Sequence, residues 1–172
     1  MTEILLIGGR SGAGKTSIAL AVHEILARDG IRHAVIEGDY LDLAHPAPAP
    51  GFAEGNLRML WSAYAAAGYE RLVYSQTISV LHMADIRNAV DPGARVTAVL
   101  LTATDAEIER RLRGREATPE SLAVHVDRSR RMASRLESDA DACATRVTTD
   151  GRSLSDVADA VISLSAWTYS VN

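Results

Sequence analysis

The chain has 172 residues, 47% hydrophobic and 23% charged, the balance of one globular domain long enough to bury a core. A net charge of −4 and a pI near 5.7 argue against a nucleic-acid-binding surface, and no run approaches the ~18 apolar residues of a membrane span. Cys143 is the only cysteine and Met1-Thr2-Glu3 lacks the basic start of a signal peptide, so no internal disulfide forms and a reducing cytoplasm is the expected compartment.

The first predicted element is a strand, Glu3-Ile4-Leu5-Leu6-Ile7, and the second a helix from Thr16 to Arg28 carrying Ile18, Leu20, Val22, Ile25 and Leu26. Between them stands Gly9-Arg10-Ser11-Gly12-Ala13-Gly14-Lys15-Thr16, which matches the phosphate-binding pattern G-x-x-x-x-G-K-[ST]. Glycines let the backbone wrap a phosphate chain, and the helix that follows adds a favourable dipole for an anion. The pattern assigns Gly9, Ser11, Gly12, Ala13, Gly14, Lys15, Thr16 and Ser17 to a nucleotide. Lys15 reaches the β- and γ-phosphates, and the Thr16 hydroxyl ligates Mg²⁺. Lys15 is also the only lysine, against 17 arginines.

A second strand, His33 to Glu37, runs into Gly38-Asp39-Tyr40-Leu41-Asp42 and a Pro-Ala loop ending at Gly51. A helix follows from about Ala53 to Gly68, with Leu57, Leu60, Trp61 and Tyr64 at helical spacing. Arg71 to Ser75 is a third strand closing in Gln76-Thr77, and Val80 to Val90 a short helix. Val96 to Leu101 is the most hydrophobic strand, as expected where both faces are covered. Asp105 to Arg113 follows as a helix capped by Thr104. Another runs from Pro119 at a first helical position to about Leu136. A last strand, Thr145 to Thr149, and a helix from Ser155 to Trp167 burying Val157, Val161 and Leu164 complete the chain.

Strands alternating with helices predict a three-layer α/β/α domain with a parallel sheet and right-handed crossovers. Ligands in such sheets bind beyond the carboxyl ends of the strands, where the phosphate loop, Asp39, Gln76 and Thr102 all fall. Asp39 is placed to anchor Mg²⁺ with Thr16 or to orient a nucleophile, and Asp42 is a lesser candidate for the same task. Tyr40, Arg58 and Gln76 join Asp39 on the acceptor side. Eight arginines lie between Arg110 and Arg135. Most balance neighbouring carboxylates at helical spacings, but Arg111 and Arg115 are candidates to neutralise a phosphoryl group from a mobile flap framed by Gly114 and Thr118-Pro119. No hydrophobic run ends in a Walker B acid, which counts against a motor ATPase or GTPase.

The loop GRSGAGKT, the stretch EGDYLDLAHP, the run TATDAEIERRLRGRE and the closing VTTDGRSLSDVADAVI resemble the small P-loop kinases, within them the gluconate kinase, adenylylsulfate kinase and chloramphenicol phosphotransferase branch. That resemblance implies the P-loop NTPase fold as one domain over residues 1–172, with five parallel strands and a helical lid near residues 114–137. It implies ATP- and Mg²⁺-dependent transfer to a hydroxyl of a small molecule, by a monomer or homodimer. An Asp at the position of Asp39 contacts the acceptor, an Arg like Arg111 lies against adenine, an Arg like Arg115 reaches the phosphates, and the loop at Asp150 borders the adenine. A nucleoside or nucleotide kinase, with Arg58 and Arg87 holding an acceptor phosphate, stays open, as does an ATP-binding regulatory module without transfer. The segment from Leu43 to Tyr64 matches none of these kinases closely.

Overall fold

In a computed structural model, described here for residues 1–140 and 142–167, the elements run β1 (Glu3–Gly8), α1 (Lys15–Arg28), β2 (Ala34–Glu37), α2 (Phe52–Ala66), β3 (Arg71–Ser75), α3 (Met83–Val90), β4 (Arg95–Thr102), α4 (Asp105–Arg113), α5 (Pro119–Asp139), β5 (Thr145–Thr148) and α6 (Leu154–Ser165). All strand pairs are parallel, in the order β2-β3-β1-β4-β5. Period-two alternation sorts the side chains of each strand to two faces. Leu5, Ile7, Val99 and Leu101 enter one core with α1 and α6, whereas Ile4, Leu6, Leu72 and Leu100 enter another with Leu57, Trp61 and Ile86. The expected three-layer α/β/α architecture is therefore present. No helix among the described residues is long and apolar enough to cross a membrane.

Capping chemistry sets the helix starts. The Thr104 and Thr118 hydroxyls accept from Glu107 N and Ser121 N at the heads of α4 and α5, and Ser153 with Asp156 forms a reciprocal capping box on α6. Several element ends differ from the sequence reading. The helix expected from Val80 is a 3-10 turn at Ser79–Leu81 followed by α3, since His82 interrupts the helical backbone. The last helix stops at Ser165 because Ala166 turns left-handed at φ 56. That turn folds Trp167 back into the core, where its Nε1 donates to Glu3 Oε2 at 2.9 Å. Leu164, Leu20 and Leu60 are exposed rather than buried. Each lies about 100° around its helix from a buried neighbour, and the sheet covers only one stripe.

The carboxyl ends of β1, β2 and β3 meet at Gly8, Glu37 and Ser75, and the chain leaves β2 through a 3-10 turn, Gly38–Tyr40. Gly38 is required there for space. A Cβ at this position would overlap the Tyr74 hydroxyl and the ring carbon that bears it. Gly38→Ala is expected to lower stability by about 1–3 kcal/mol, the usual range for overpacking. Tyr74→Phe in the same chain should restore little of it, because the ring carbon still clashes; denaturant unfolding of the single and double variants checks this.

Candidate active site

The phosphate loop links the buried end of β1 to α1, and its conformation is fixed from outside. Gly9, Gly12 and Gly14 all take positive φ, with Gly14 left-handed at φ 97 as the N-cap of α1, a backbone that residues with a Cβ adopt only under strain. Three loop carbonyls face outward onto side-chain donors. Ser129 Oγ on α5 donates to Ser11 O at 2.9 Å, and Arg111 NH1 on α4 donates to Gly12 O at 3.2 Å and Ala13 O at 3.4 Å. In a trans peptide the N–H points opposite to the carbonyl, so the amides of Gly12 and Gly14 turn to the inner side. There they join the first-turn amides of α1, which have no intrahelical acceptor. Arg10 is buried and braces the same loop, donating to Asp105 Oδ1 at 2.6 Å and Ala103 O at 2.7 Å. The loop is thus a preorganised anion cradle.

Lys15 is only 9% exposed. Burial holds its pKa below the ordinary lysine value, opposed by the nearby carboxylates of Asp39 and Glu37, while the charge of Arg115 adds to the depression. The Thr16 hydroxyl donates to Glu37 Oε2 at 2.8 Å, and Ser75 Oγ donates to the same oxygen at 2.8 Å. Glu37 Oε1 is buried with no hydrogen-bond partner. In place of Asp39, then, the carboxylate at Thr16 is Glu37. Asp39 accepts instead from Thr77, Oδ1 from the amide and Oδ2 from the hydroxyl, both at 3.2 Å. The Thr77 carbonyl accepts from Gly9 N at 3.2 Å, so one residue holds the phosphate loop and Asp39 in register.

A cleft of about 490 Å³ opens in front of the loop, lined by Ser11, Asp39, Gln76, Thr77, His125 and Arg128 among others. It shares Asp42, Gln76 and Ile78 with a second hollow of about 270 Å³ beneath the Pro-Ala loop and the head of α2. On the other side of the phosphate loop a hollow of about 140 Å³ is lined by Gly12, Gly14, Ser17, Arg111, Arg115 and Thr149, with neighbours on α6.

The structure brings most of the sequence candidates to this edge. Gln76 lines both acceptor-side hollows and Arg115 the small one, where its guanidinium has no hydrogen bond or ion pair among the described residues. Arg111 lines the small hollow too, but its nitrogens are engaged by Glu107, Gly12, Ala13 and Thr149, which leaves only the planar face for a ligand. Three candidates stand apart. Tyr40 and Arg58 are exposed and line neither acceptor hollow. Asp150 accepts with both oxygens from Thr104 N, at 2.9 and 3.2 Å, because the turn after β5 lies beside the head of α4. Sequence reasoning missed Glu37 and Glu54, and assigned no specific role to Thr77 at the end of the third strand or to Arg128 in the arginine cluster. For Glu37 a signal existed: it is the last residue of the second predicted strand, at the carboxyl edge where ligands bind in such sheets.

Arg111→Met removes the guanidinium that pins two loop carbonyls and Thr149. The expected loss is about 2–3 kcal/mol of stability, from charge-assisted hydrogen bonds in a half-buried setting, with weaker nucleotide binding. Chemical denaturation and nucleotide titration together check both effects.

The family model for adenylylsulphate kinase matches residues 1–45, the segment that carries the phosphate loop, Glu37 and Asp39. Among solved structures, the adenylylsulphate kinase of Mycobacterium tuberculosis in complex with AMPPNP and APS is 27% identical over 95% of this chain and 96% of that one, with a TM-score of 0.59. The first 45 residues thus resemble the adenylylsulphate kinases, and the whole chain has the fold of the small P-loop kinases. The tunicamycin resistance protein of Deinococcus radiodurans shares the fold at TM-score 0.67, with 22% identity over 95% of each chain. A gluconokinase from Sinorhizobium meliloti 1021 shares it at 0.58, with 20% identity over 96% of this chain and 91% of that one. No curated protein matches by sequence. This likeness to P-loop kinases supports phosphotransfer to a small molecule in general.

Proposed function

We propose that the protein is an ATP- and Mg²⁺-dependent phosphotransferase acting on a hydroxyl of a small molecule. The observation that carries this reading is the continuity of one cleft from Ser11 of the phosphate loop to Asp39, Gln76 and Thr77. Donor and acceptor can then meet without crossing protein. Asp39 is oriented by the two Thr77 donors and accepts the proton of the acceptor hydroxyl. The acceptor oxygen bonds to the γ-phosphorus as the bond to the β–γ bridging oxygen breaks, and ADP leaves. Lys15 neutralises charge on the transferring group, with Arg115 on one side of the loop and Arg128 on the other.

The residues at the head of α1 fit a divalent ion. Glu37 Oε1 is a buried carboxylate oxygen without a partner, and the other oxygen already faces Thr16. Thr16 and Glu37 would hold Mg²⁺, directly or through water, leaving Asp39 free for the acceptor. When bound, the ion neutralises charge on the phosphate oxygens. A nucleotide acceptor is less well supported, since Arg58 and Arg87 are exposed and line neither acceptor hollow. The test is ADP release by the purified chain with MgATP, with and without a panel of small hydroxyl compounds. Acceptor-dependent turnover supports the proposal. ATP binding with turnover that no acceptor changes would favour the regulatory module.

A further inference from the structure

The hollow under the Pro-Ala loop has a charge balance that the phosphate-binding half of the site does not. Its lining includes Asp42, Glu54, Tyr74, Gln76 and His82, and no lysine or arginine. Neither Asp42 nor Glu54 is ion-paired among the described residues, and neither is Asp39 at the mouth between the two hollows. His82 is directed to Asp85, its Nδ1 3.4 Å from Oδ2. The cations of the site lie outside this hollow: Lys15 and Arg115 are at the loop, and Arg128 lines the neighbouring cleft with Ser11, Asp39 and Asp42.

A second observation concerns Tyr74. Its side chain is 2% exposed, it lines this hollow, and its hydroxyl has no hydrogen-bond partner among the described residues. The hydroxyl is thus open to a ligand in the hollow, and the close approach of Gly38 holds it in place. Burial pushes the phenol pKa up, and the charges of Asp39, Glu54, Asp42 and Glu37 push it further the same way. The fields of four carboxylates thus converge on one phenol that lines ligand space. An anionic acceptor would be repelled here. A protonated amine would find two unpaired carboxylates and an acceptor hydroxyl. The rest of the lining, Pro48, Pro50, Phe52, Ile78 and Ile86, covers hydrocarbon.

Building on the phosphotransferase reading, we infer that the acceptor is an amine-bearing alcohol, such as an amino sugar or aminocyclitol. Its ammonium is held by Asp42, Glu54 and the Tyr74 hydroxyl, and its reacting hydroxyl is presented to Asp39. Of the three groups at the ammonium, Glu54 lies in the segment between Leu43 and Tyr64, where resemblance to known kinases fades, and Asp42 directly precedes it.

The experiment uses the full chain with Mg²⁺ and AMP-PNP, and three probes on one scaffold: glucosamine, N-acetylglucosamine and gluconate. Binding is read by saturation-transfer NMR titration. The expected result is glucosamine binding at least about tenfold tighter than either other probe, equivalent to one partly desolvated ion pair. That preference should collapse in Glu54→Gln and in Asp42→Asn, and weaken as salt rises from about 0.05 to 0.5 M. Wild-type salt dependence keeps the test valid if either variant fails to fold. Equal binding of the three probes, or a preference for gluconate, overturns the inference. A parallel ³¹P NMR assay with MgATP separates the two claims. Glucosamine bound through Glu54, with no acceptor in the panel phosphorylated, would sink the kinase reading and leave the amine pocket standing. Gluconate phosphorylated without any amine preference would do the reverse.

Discussion

Replacing Lys15 with methionine is expected to lower phosphoryl transfer by about 10³-fold or more while the fold survives. The magnitude follows from removing a preorganised cation from the place where negative charge gathers in the transition state. Arg115 and Arg128 approach from either side of the loop, but Lys15 is the buried cation of the loop itself, under the charges of both Asp39 and Glu37. Stability should change little. Burial already disfavours the Lys15 ammonium, so an apolar side chain of similar length relieves that penalty as it forfeits the attraction of the two carboxylates. A melting temperature within about 3 °C of wild type, together with lost ADP release, is the expected pair of results. Turnover above a tenth of wild type would remove Lys15 from the mechanism.

Asp39→Asn has the second largest expected effect, and its signature differs. The amide retains a carbonyl that accepts from Thr77 N, so the cleft should keep its shape, but it cannot take a proton from the acceptor. Turnover is expected to fall by about 10²–10⁴, the range for loss of a general base. Nucleotide affinity should be nearly unchanged, because Asp39 faces Thr77 and the cleft rather than Thr16. Calorimetric titration with AMP-PNP and single-turnover kinetics distinguish this from a binding defect. A large loss of nucleotide affinity with preserved single-turnover rate would instead place Asp39 at the metal.

Glu37 and Asp39 mark the boundary of what a linear reading reaches. Glu37 ends a predicted strand and Asp39 follows it, and position alone favoured the one in the loop, since a terminal strand residue reads as part of the sheet. The register of β2 against β3 sets Glu37 beside Ser75, and α1 delivers Thr16 to the same oxygen from 21 positions away. Arg111 shows the converse. Its place in an arginine-rich helix predicted contact with the nucleotide side, and it does line that hollow. Its hydrogen bonds to Gly12, Ala13 and Thr149 reach across 99, 98 and 38 positions, contacts that no local pattern encodes.

What the sequence by itself determined is local. Glycines at Gly9, Gly12 and Gly14 dictate a loop backbone, apolar runs of three or four residues dictate covered strands, and the alternation of strands and helices dictates a parallel sheet. These properties depend on neighbours a few residues apart, so they are legible in a line of letters. The acceptor side was decided only by the tertiary structure. Asp42, Glu54, Tyr74 and Gln76 come from a loop, a helix and the end of β3. Their shared charge exists because the parallel crossovers carry those segments to one edge of the sheet, and Coulomb interactions depend on distance in space rather than along the chain.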